Sequence, residues 1–232
     1  MEKMTETNLS TRDLIRMSVP KLLMLVALLL VLFFLPAGTW DYWQAWVYML
    51  VLLLPMSLVI PYLIKHNPEL IRRRMNFKER RTEQRKIIYL SYPFFLLMFL
   101  LPGFDRRFGW SSAPTWVVIA ADILILIGYG IVFLTFIENT YASRVVEVTE
   151  DQQVISSGPY AVVRHPMYVG VLLMYFFTPL ALGSWIGLIP ALSLFPTIVL
   201  RILDEEKVLG EDLPGYREYM EVTRYRIIPG VW

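Results

Sequence analysis

Long uncharged runs alternate with short charged segments along this chain. Residues 22–40 hold 19 uncharged positions, 42–64 hold 23, 87–104 hold 18 and 166–200 hold 35. Residues 116–137 carry a single charge, Asp122, in 22 positions. About 20 apolar residues cross the hydrocarbon core of a bilayer as a helix. The pattern therefore predicts spans at about 19–35, 42–64, 87–101 and 115–137. A single helix over the last run would be ~52 Å long at 1.5 Å per residue, too long for one crossing. Gly183-Ser184 stands near its middle, just after Pro179. That run is expected to fold as a hairpin, 166–182 and 185–203, with short arms. The fold class is all-α: a polytopic membrane helical bundle of about six spans ending in a helical hairpin.

The polar segments refine this picture. Residues 1–18 form a charged tail in which Leu14, Ile15 and Met17 predict a short surface helix. Trp40, Tyr42, Trp43 and Trp46 form a cluster of the kind found at membrane–water interfaces. Pro55 and Pro61 are expected to kink the second span. Residues 65–86 make a loop with nine Lys or Arg, and 102–114 a short loop with Asp105, Arg106 and Arg107. Residues 138–165 are polar, and the pairs Val145-Val146 and Val154-Ile155 predict short ordered elements there. After residue 204, Tyr216, Tyr219, Met220 and Thr223 share one helical face, which predicts a short helix lying against the membrane.

Six spans put both termini on one side. Twenty of the 22 Lys and Arg then fall on that side, and only Arg106 and Arg107 on the other. Positive charge accumulates on the cytoplasmic side, so both termini are expected in the cytoplasm. The basic loop reads first as this topology signal, with arginines that also meet anionic lipid heads. The segment before the first span is polar and no cleavage site follows the run cleanly, so it reads as a retained helix. Two regions are expected within one integrated domain: the N-terminal spans and basic loop, 1–137, and a C-terminal core with the helical hairpin and tail, 138–232.

Composition narrows the chemistry. The 232 residues are 56% hydrophobic and 18% charged, and a soluble domain is nearer a quarter charged. There is no cysteine, which excludes disulfides, thiolate metal sites and a cysteine nucleophile. Two histidines, His66 and His165, exclude a multi-histidine metal site within the chain.

The candidate chemistry lies where the polar segment meets the longest apolar run. Gly158-Pro159 is a turn, and Arg164-His165 precede Pro166. Proline is favoured at the first helical position and displaces its predecessor from helical geometry, so His165 should cap the fifth span. A helix N-terminus offers free N–H groups and partial positive charge for a carboxylate, and Arg164 adds a planar donor. Alone, a histidine at a cap is more commonly structural. The hairpin, however, returns Glu205-Glu206 to the same side, at the end of the last span. Positive groups would hold a carboxylate, negative groups an ammonium or sugar hydroxyls, and a nucleoside amino acid fits that description. Arg164 could instead orient a carboxylate acceptor, and the Glu pair could act as base toward a thiol or amine. Glu138 and Asn139, at the cytoplasmic end of the fourth span, are candidate substrate-lining residues. Asp122 is an intramembrane carboxylate, a functional candidate by position.

Gly158-Pro159-Tyr160, Arg164-His165-Pro166, Tyr168 and Gly170, followed by Glu205-Glu206 and Leu209, closely resemble the isoprenylcysteine carboxyl methyltransferase family. The resemblance spans roughly 138–229, including Tyr219 and Pro229, and not the first three spans. It implies use of S-adenosylmethionine without a Rossmann domain, in a site built from the last membrane hairpin and the C-terminal tail. It implies Tyr160, Arg164, His165, Tyr168, Glu205 and Glu206 as cofactor-site residues, with Arg164 and Glu206 the catalytic candidates. The implied activity is methyl transfer to an isoprenylcysteine-like carboxylate or another small or lipidic acceptor. Phospholipid N-methyltransferases and small-thiol methyltransferases look similar here. NADPH-dependent membrane sterol reductases carry a related Arg-His-Pro-x-Tyr stretch. They have Asn after the Pro and Gly-Glu at the end, where this chain has Met167 and Gly170-Val171, which disfavours hydride transfer. A non-enzymatic transporter or scaffold predicts half-repeats or mid-membrane polar residues, and only Asp122 answers that. Expected partners are membrane lipids and a lipidic or small-molecule acceptor, with no nucleic acid and no metal.

Overall fold

The computed structural model describes residues 11–75, 81–142, 148–149 and 151–232, without the side chains of 11–15, 17 and 75. Among them are eight α-helices and no strand. In chain order they are α1 (Thr11–Ala37), α2 (Trp43–His66), α3 (Pro68–Met75), α4 (Thr82–Phe108), α5 (Thr115–Glu138), α6 (Pro166–Ala181), α7 (Leu188–Asp212) and α8 (Tyr216–Val222). A 3-10 turn, Gly158–Ala161, precedes α6. The protein is an α-helical membrane bundle.

Four helices are long and apolar enough to cross a membrane: Ser18–Ala37, Trp43–His66, Thr82–Phe108 and Thr115–Glu138. The hairpin arms are shorter. At 1.5 Å per residue the 16 residues of α6 reach ~24 Å, and α7 is uncharged only from Leu188 to Leu200. The bundle therefore has four long apolar helices and a hairpin with shorter apolar arms, as the split of the 166–200 run led to expect.

Several boundaries differ from the hydropathy reading, each for a local reason. The polar residues from Thr11 continue directly into the first span instead of forming a separate surface helix; residues 1–10 lie outside the described residues. The basic loop is interrupted by α3, and α4 starts at Thr82 and runs through Pro102 to Phe108, where Gly109 closes it in the left-handed region. Asp105 thus sits on a helix, not in a loop. α2 is continuous through Pro55 and Pro61. Val145-Val146 lie outside the described residues, and Val154-Ile155 belong to no regular element. The buried face of α8, Tyr216 and Tyr219, packs on Leu213, Leu209, Val154 and Tyr160 of the chain itself, so that face is turned to protein where a membrane contact was expected.

Packing fixes the hairpin against the long spans. α6 lies along α5 and α7 along α4, while α1 packs on α4 and α2. Phe33, Tyr48, Val118, Ile125, Ala181 and Leu182 share one buried cluster. The hairpin turn is held by polar closures at its apex. Gly183 has φ +80°, the left-handed region that glycine adopts without Cβ strain. Its carbonyl accepts from Ala113 N at 2.9 Å. Tyr42 Oη donates to Leu182 O at 2.6 Å. Ser184 Oγ donates to the buried Asp105 at 2.5 Å, and Ser111 N donates to the other carboxylate oxygen at 2.6 Å. A turn in an apolar bundle needs such partners, because an unsatisfied buried backbone group costs free energy.

Candidate active site

Helical phase divides the labour between the two adjacent glutamates. α7 continues to Asp212, two turns beyond the expected end near 203, because Lys207, Val208 and Leu209 sustain the helix and Val208 is buried. Glu205 and Glu206 therefore lie within a helix, not at its frayed end. Consecutive helical residues point ~100° apart, so one glutamate faces a polar cavity and the other faces the protein.

Glu206 is the inward one. Its side chain is 8% exposed. Oε1 accepts from Arg164 Nε at 2.7 Å and lies 3.2 Å from His165 Nε2, and Oε2 accepts from Arg226 Nε at 2.7 Å. Burial would raise its pKa, but the hydrogen bonds from His165, Arg164 and Arg226 outweigh that and hold it at about 2. An anion so stabilised is a poor base at neutral pH. Arg164 is likewise committed: Nη1 donates to Thr223 O at 2.9 Å and Arg224 O at 2.8 Å. The backbone completes the join, with Arg164 N on Tyr225 O and His165 N on Arg226 O, both at 2.9 Å. These two N–H groups, just before the first turn of α6, dock the C-terminal segment onto the start of that helix. Arg226 also stacks on Trp232, 5.0 Å from its ring centroid.

The sign of the pH dependence follows from that depressed pKa. The clamp's contribution is complete above the ordinary value of 4.5 and disappears as pH falls toward about 2. Thermal melting in detergent should show a constant gap between wild type and Glu206→Gln from neutral pH to about 4.5, closing below it. A gap that closes nearer neutrality would contradict the assignment.

Glu205 faces the cavity. Its Oε2 accepts from Tyr168 Oη at 2.8 Å, and the same hydroxyl accepts from Arg201 Nε at 2.8 Å. Arg201 and Glu205 are four residues apart on one face of α7. Hydropathy reading missed Arg201, which marks only the end of an apolar run. Arg164, His165, Tyr168, Arg201, Glu205 and Tyr160 all line the cavity, with Asn139, Gln152, Gln153, Leu209, Leu213, Tyr216 and Tyr219. Asn139 Nδ2 donates to Tyr160 Oη at 2.8 Å, and Tyr219 Oη donates to Tyr160 O at 2.7 Å. Burial pushes the Tyr219 phenol up to about 12.

Two candidates fall outside the wall. Glu138 accepts from Ser157 Oγ and braces the 3-10 turn. Asp122 is buried within α5, with no hydrogen-bond partner on either oxygen among the described residues, and is not among the residues lining the cavity.

Tyr216 tests whether a ligand belongs here. It is 4% exposed, it lines the cavity, and its hydroxyl has no hydrogen-bond partner among the described residues. Burial first, then the nearby Glu206 and Glu205, push its phenol well above the usual range, so it is neutral and able to donate. A buried unpaired hydroxyl in a cavity lined by a carboxylate, guanidinium groups and four further tyrosines suits a nucleoside amino acid: anion for ammonium, cation for carboxylate, aromatic faces for a base. S-adenosylmethionine has all of these groups. Among the described residues no cluster of metal-ligating side chains occurs.

A second, apolar groove lies between α6 and α7. Val169, Leu172, Tyr175, Phe176, Leu192 and Phe195 line it, with Ile227 and Ile228. Val169 follows Tyr168 on α6, but the groove and the polar cavity share no lining residue.

Residues 116–212 match the family model described as phospholipid methyltransferase. That region contains α5, α6 and α7, with both motifs of the site. No curated protein matches the chain.

Proposed function

We propose that this chain, whose residues 116–212 match the phospholipid methyltransferase family model, is a membrane methyltransferase that methylates a lipidic acceptor with S-adenosylmethionine. The observation that carries the reading is the polar cavity with the unpaired Tyr216 hydroxyl; the apolar groove is a separate feature of the same hairpin. Bound S-adenosylmethionine supplies an electrophilic methyl on a sulfonium.

The residues divide into three roles. Arg164, His165, Glu206 and Arg226 join α6, α7 and the C-terminal segment, and act by position. Glu206 in particular is a structural anion and not a base. Glu205, Tyr168, Tyr160, Tyr216 and Tyr219 bind the cofactor. Arg201, which lines the cavity beside Tyr168 and Glu205, pairs with the cofactor's carboxylate. The acceptor's hydrocarbon lies in the groove between α6 and α7, which also excludes water from the reacting groups. Both termini lie on the cytoplasmic side, where the cofactor is dissolved, in keeping with the Lys and Arg asymmetry.

Tyr216→Phe separates ligand binding from folding. In the free protein its hydroxyl satisfies nothing, so its loss should leave melting unchanged or slightly raised. Affinity for S-adenosylhomocysteine, titrated calorimetrically in detergent, should fall by roughly three- to tenfold for one lost hydrogen bond. Wild type that does not bind would sink the cofactor assignment, and binding of NADPH in its place would favour the reductase. Incubation of native membrane extract with methyl-labelled cofactor would then identify the acceptor.

A further inference from the structure

α3 follows the end of α2, and its arginines contact residues that line the cavity. The helix is anchored first. Asn67 Nδ2 donates to Phe136 O at 3.3 Å, its Oδ1 accepts from Leu70 N at 3.2 Å, and Leu70 is fully buried. That side-chain cap fixes where α3 starts relative to the end of α5.

Two arginines then reach the wall. Arg73 Nη1 donates to Thr149 Oγ1 at 3.2 Å, Nη2 lies 3.9 Å from Asp151 Oδ2, and the guanidinium sits 5.0 Å over the Tyr141 ring. Arg74 Nη1 donates to Ala142 O at 3.0 Å and contacts Met167 Sδ at 3.9 Å, with its guanidinium 4.4 Å over Phe136. Tyr141, Ala142 and Met167 all line the cavity. Tyr141 Oη also donates to Asp151 O at 2.9 Å, which ties this part of the wall to itself. The described residues of the wall between Asn139 and Ser157 form no helix or strand. A wall without backbone ladders takes its position from side chains, and these two arginines supply several of its outer contacts.

We propose that Arg73 and Arg74 are positioning residues for the cofactor cavity: they hold the Tyr141–Ala142 wall in place from α3 and so set how long the cofactor stays bound. Neither touches the cavity. The inference rests on the cofactor reading above. It also gives the basic segment a second role beside its contribution to topology.

The test is release of labelled S-adenosylhomocysteine from protein in uncharged detergent, chased with unlabelled ligand. Arg73→Ala with Arg74→Ala should release it roughly tenfold faster, the loss expected for two such contacts, with association within about twofold of wild type. In turnover the cofactor KM should rise while kcat holds. Arg74→Lys keeps the charge but loses the planar stacking and fork geometry, and should fall between. Thr149→Val removes the partner of Arg73 from the wall side with little risk to α3, and combined with Arg73→Ala it should be less than additive. A release rate equal to wild type in Thr149→Val and in the arginine pair overturns the proposal, even if the pair loses affinity for anionic vesicles. Faster release matched by an equal fall in melting temperature overturns it as well, since the effect is then global. If the arginine pair does not fold, Thr149→Val decides alone. Wild type without any binding overturns this inference together with the cofactor reading, whereas wild-type binding with unchanged release overturns this inference only.

Discussion

Glu206→Ala will destabilise the protein by about 3–5 kcal/mol and abolish S-adenosylhomocysteine binding, while Glu205→Gln will keep the fold and weaken binding alone. The two residues are neighbours in sequence, yet their surroundings oppose each other. Removing Glu206 strands Arg164 and His165, 7% and 5% exposed, with no anion to face. Removing one partner of a buried pair is far more costly than the pair is stabilising, because an uncompensated charge stays behind. The C-terminal segment would lose its anchor through Arg226, and with it α8 and the Tyr216 and Tyr219 walls. Glu205 faces the cavity, so its loss leaves water as a substitute partner for Tyr168. A change of roughly tenfold in affinity is expected there. Melting curves and calorimetric titration of both variants in the same detergent measure this. Equal melting temperatures for Glu206→Ala and wild type would remove Glu206 from its structural role. A Glu205→Gln variant that melts as low as Glu206→Ala would erase the distinction between them.

That distinction marks the limit of what the chain alone discloses. The long uncharged runs announce α1, α2, α4 and α5 because a membrane requires continuous apolar length. The Gly183-Ser184 turn shows through for the same reason: no bilayer accommodates a helix of that length. The motif around Arg164-His165 and the Glu pair is legible as one site because the hairpin can only bring them together. Which glutamate faces the ligand is not legible, since it depends on α7 staying helical past 203 and on its rotation. Arg201 and Arg226 are isolated arginines with no local pattern. Arg201 gains meaning only four residues from Glu205 on a continuous helix, and Arg226 only when the C-terminal segment docks on Arg164 and His165.

Gly170→Leu will separate α6 from α5 and remove both stability and cofactor binding, whereas Gly130→Leu will be silent. A Cβ on Gly170 would lie 2.5 Å from Gly128 O and 2.7 Å from Val132 Cγ2, and one on Gly128 would lie 2.8 Å from Gly170 O. The backbones meet directly, as small residues permit at helix interfaces in membranes. Relief requires one helix to move, because backbone atoms cannot rotate away. Gly170→Ala should therefore already cost about 1–3 kcal/mol, the usual range for overpacking, and leucine more. The functional consequence follows from what α6 carries. Its first turn holds His165 and Tyr168 against Glu206 and Glu205, while Asn139, just past the end of α5, holds Tyr160. Displacing α6 from α5 pulls apart two walls of one cavity. Gly130 is the matched control, on the same helix as Gly128 and with open space around its Cβ position. Melting and S-adenosylhomocysteine titration of the two leucine variants compare a closed interface with an open face. Equal behaviour would mean that the contact between α5 and α6 does not hold the site together.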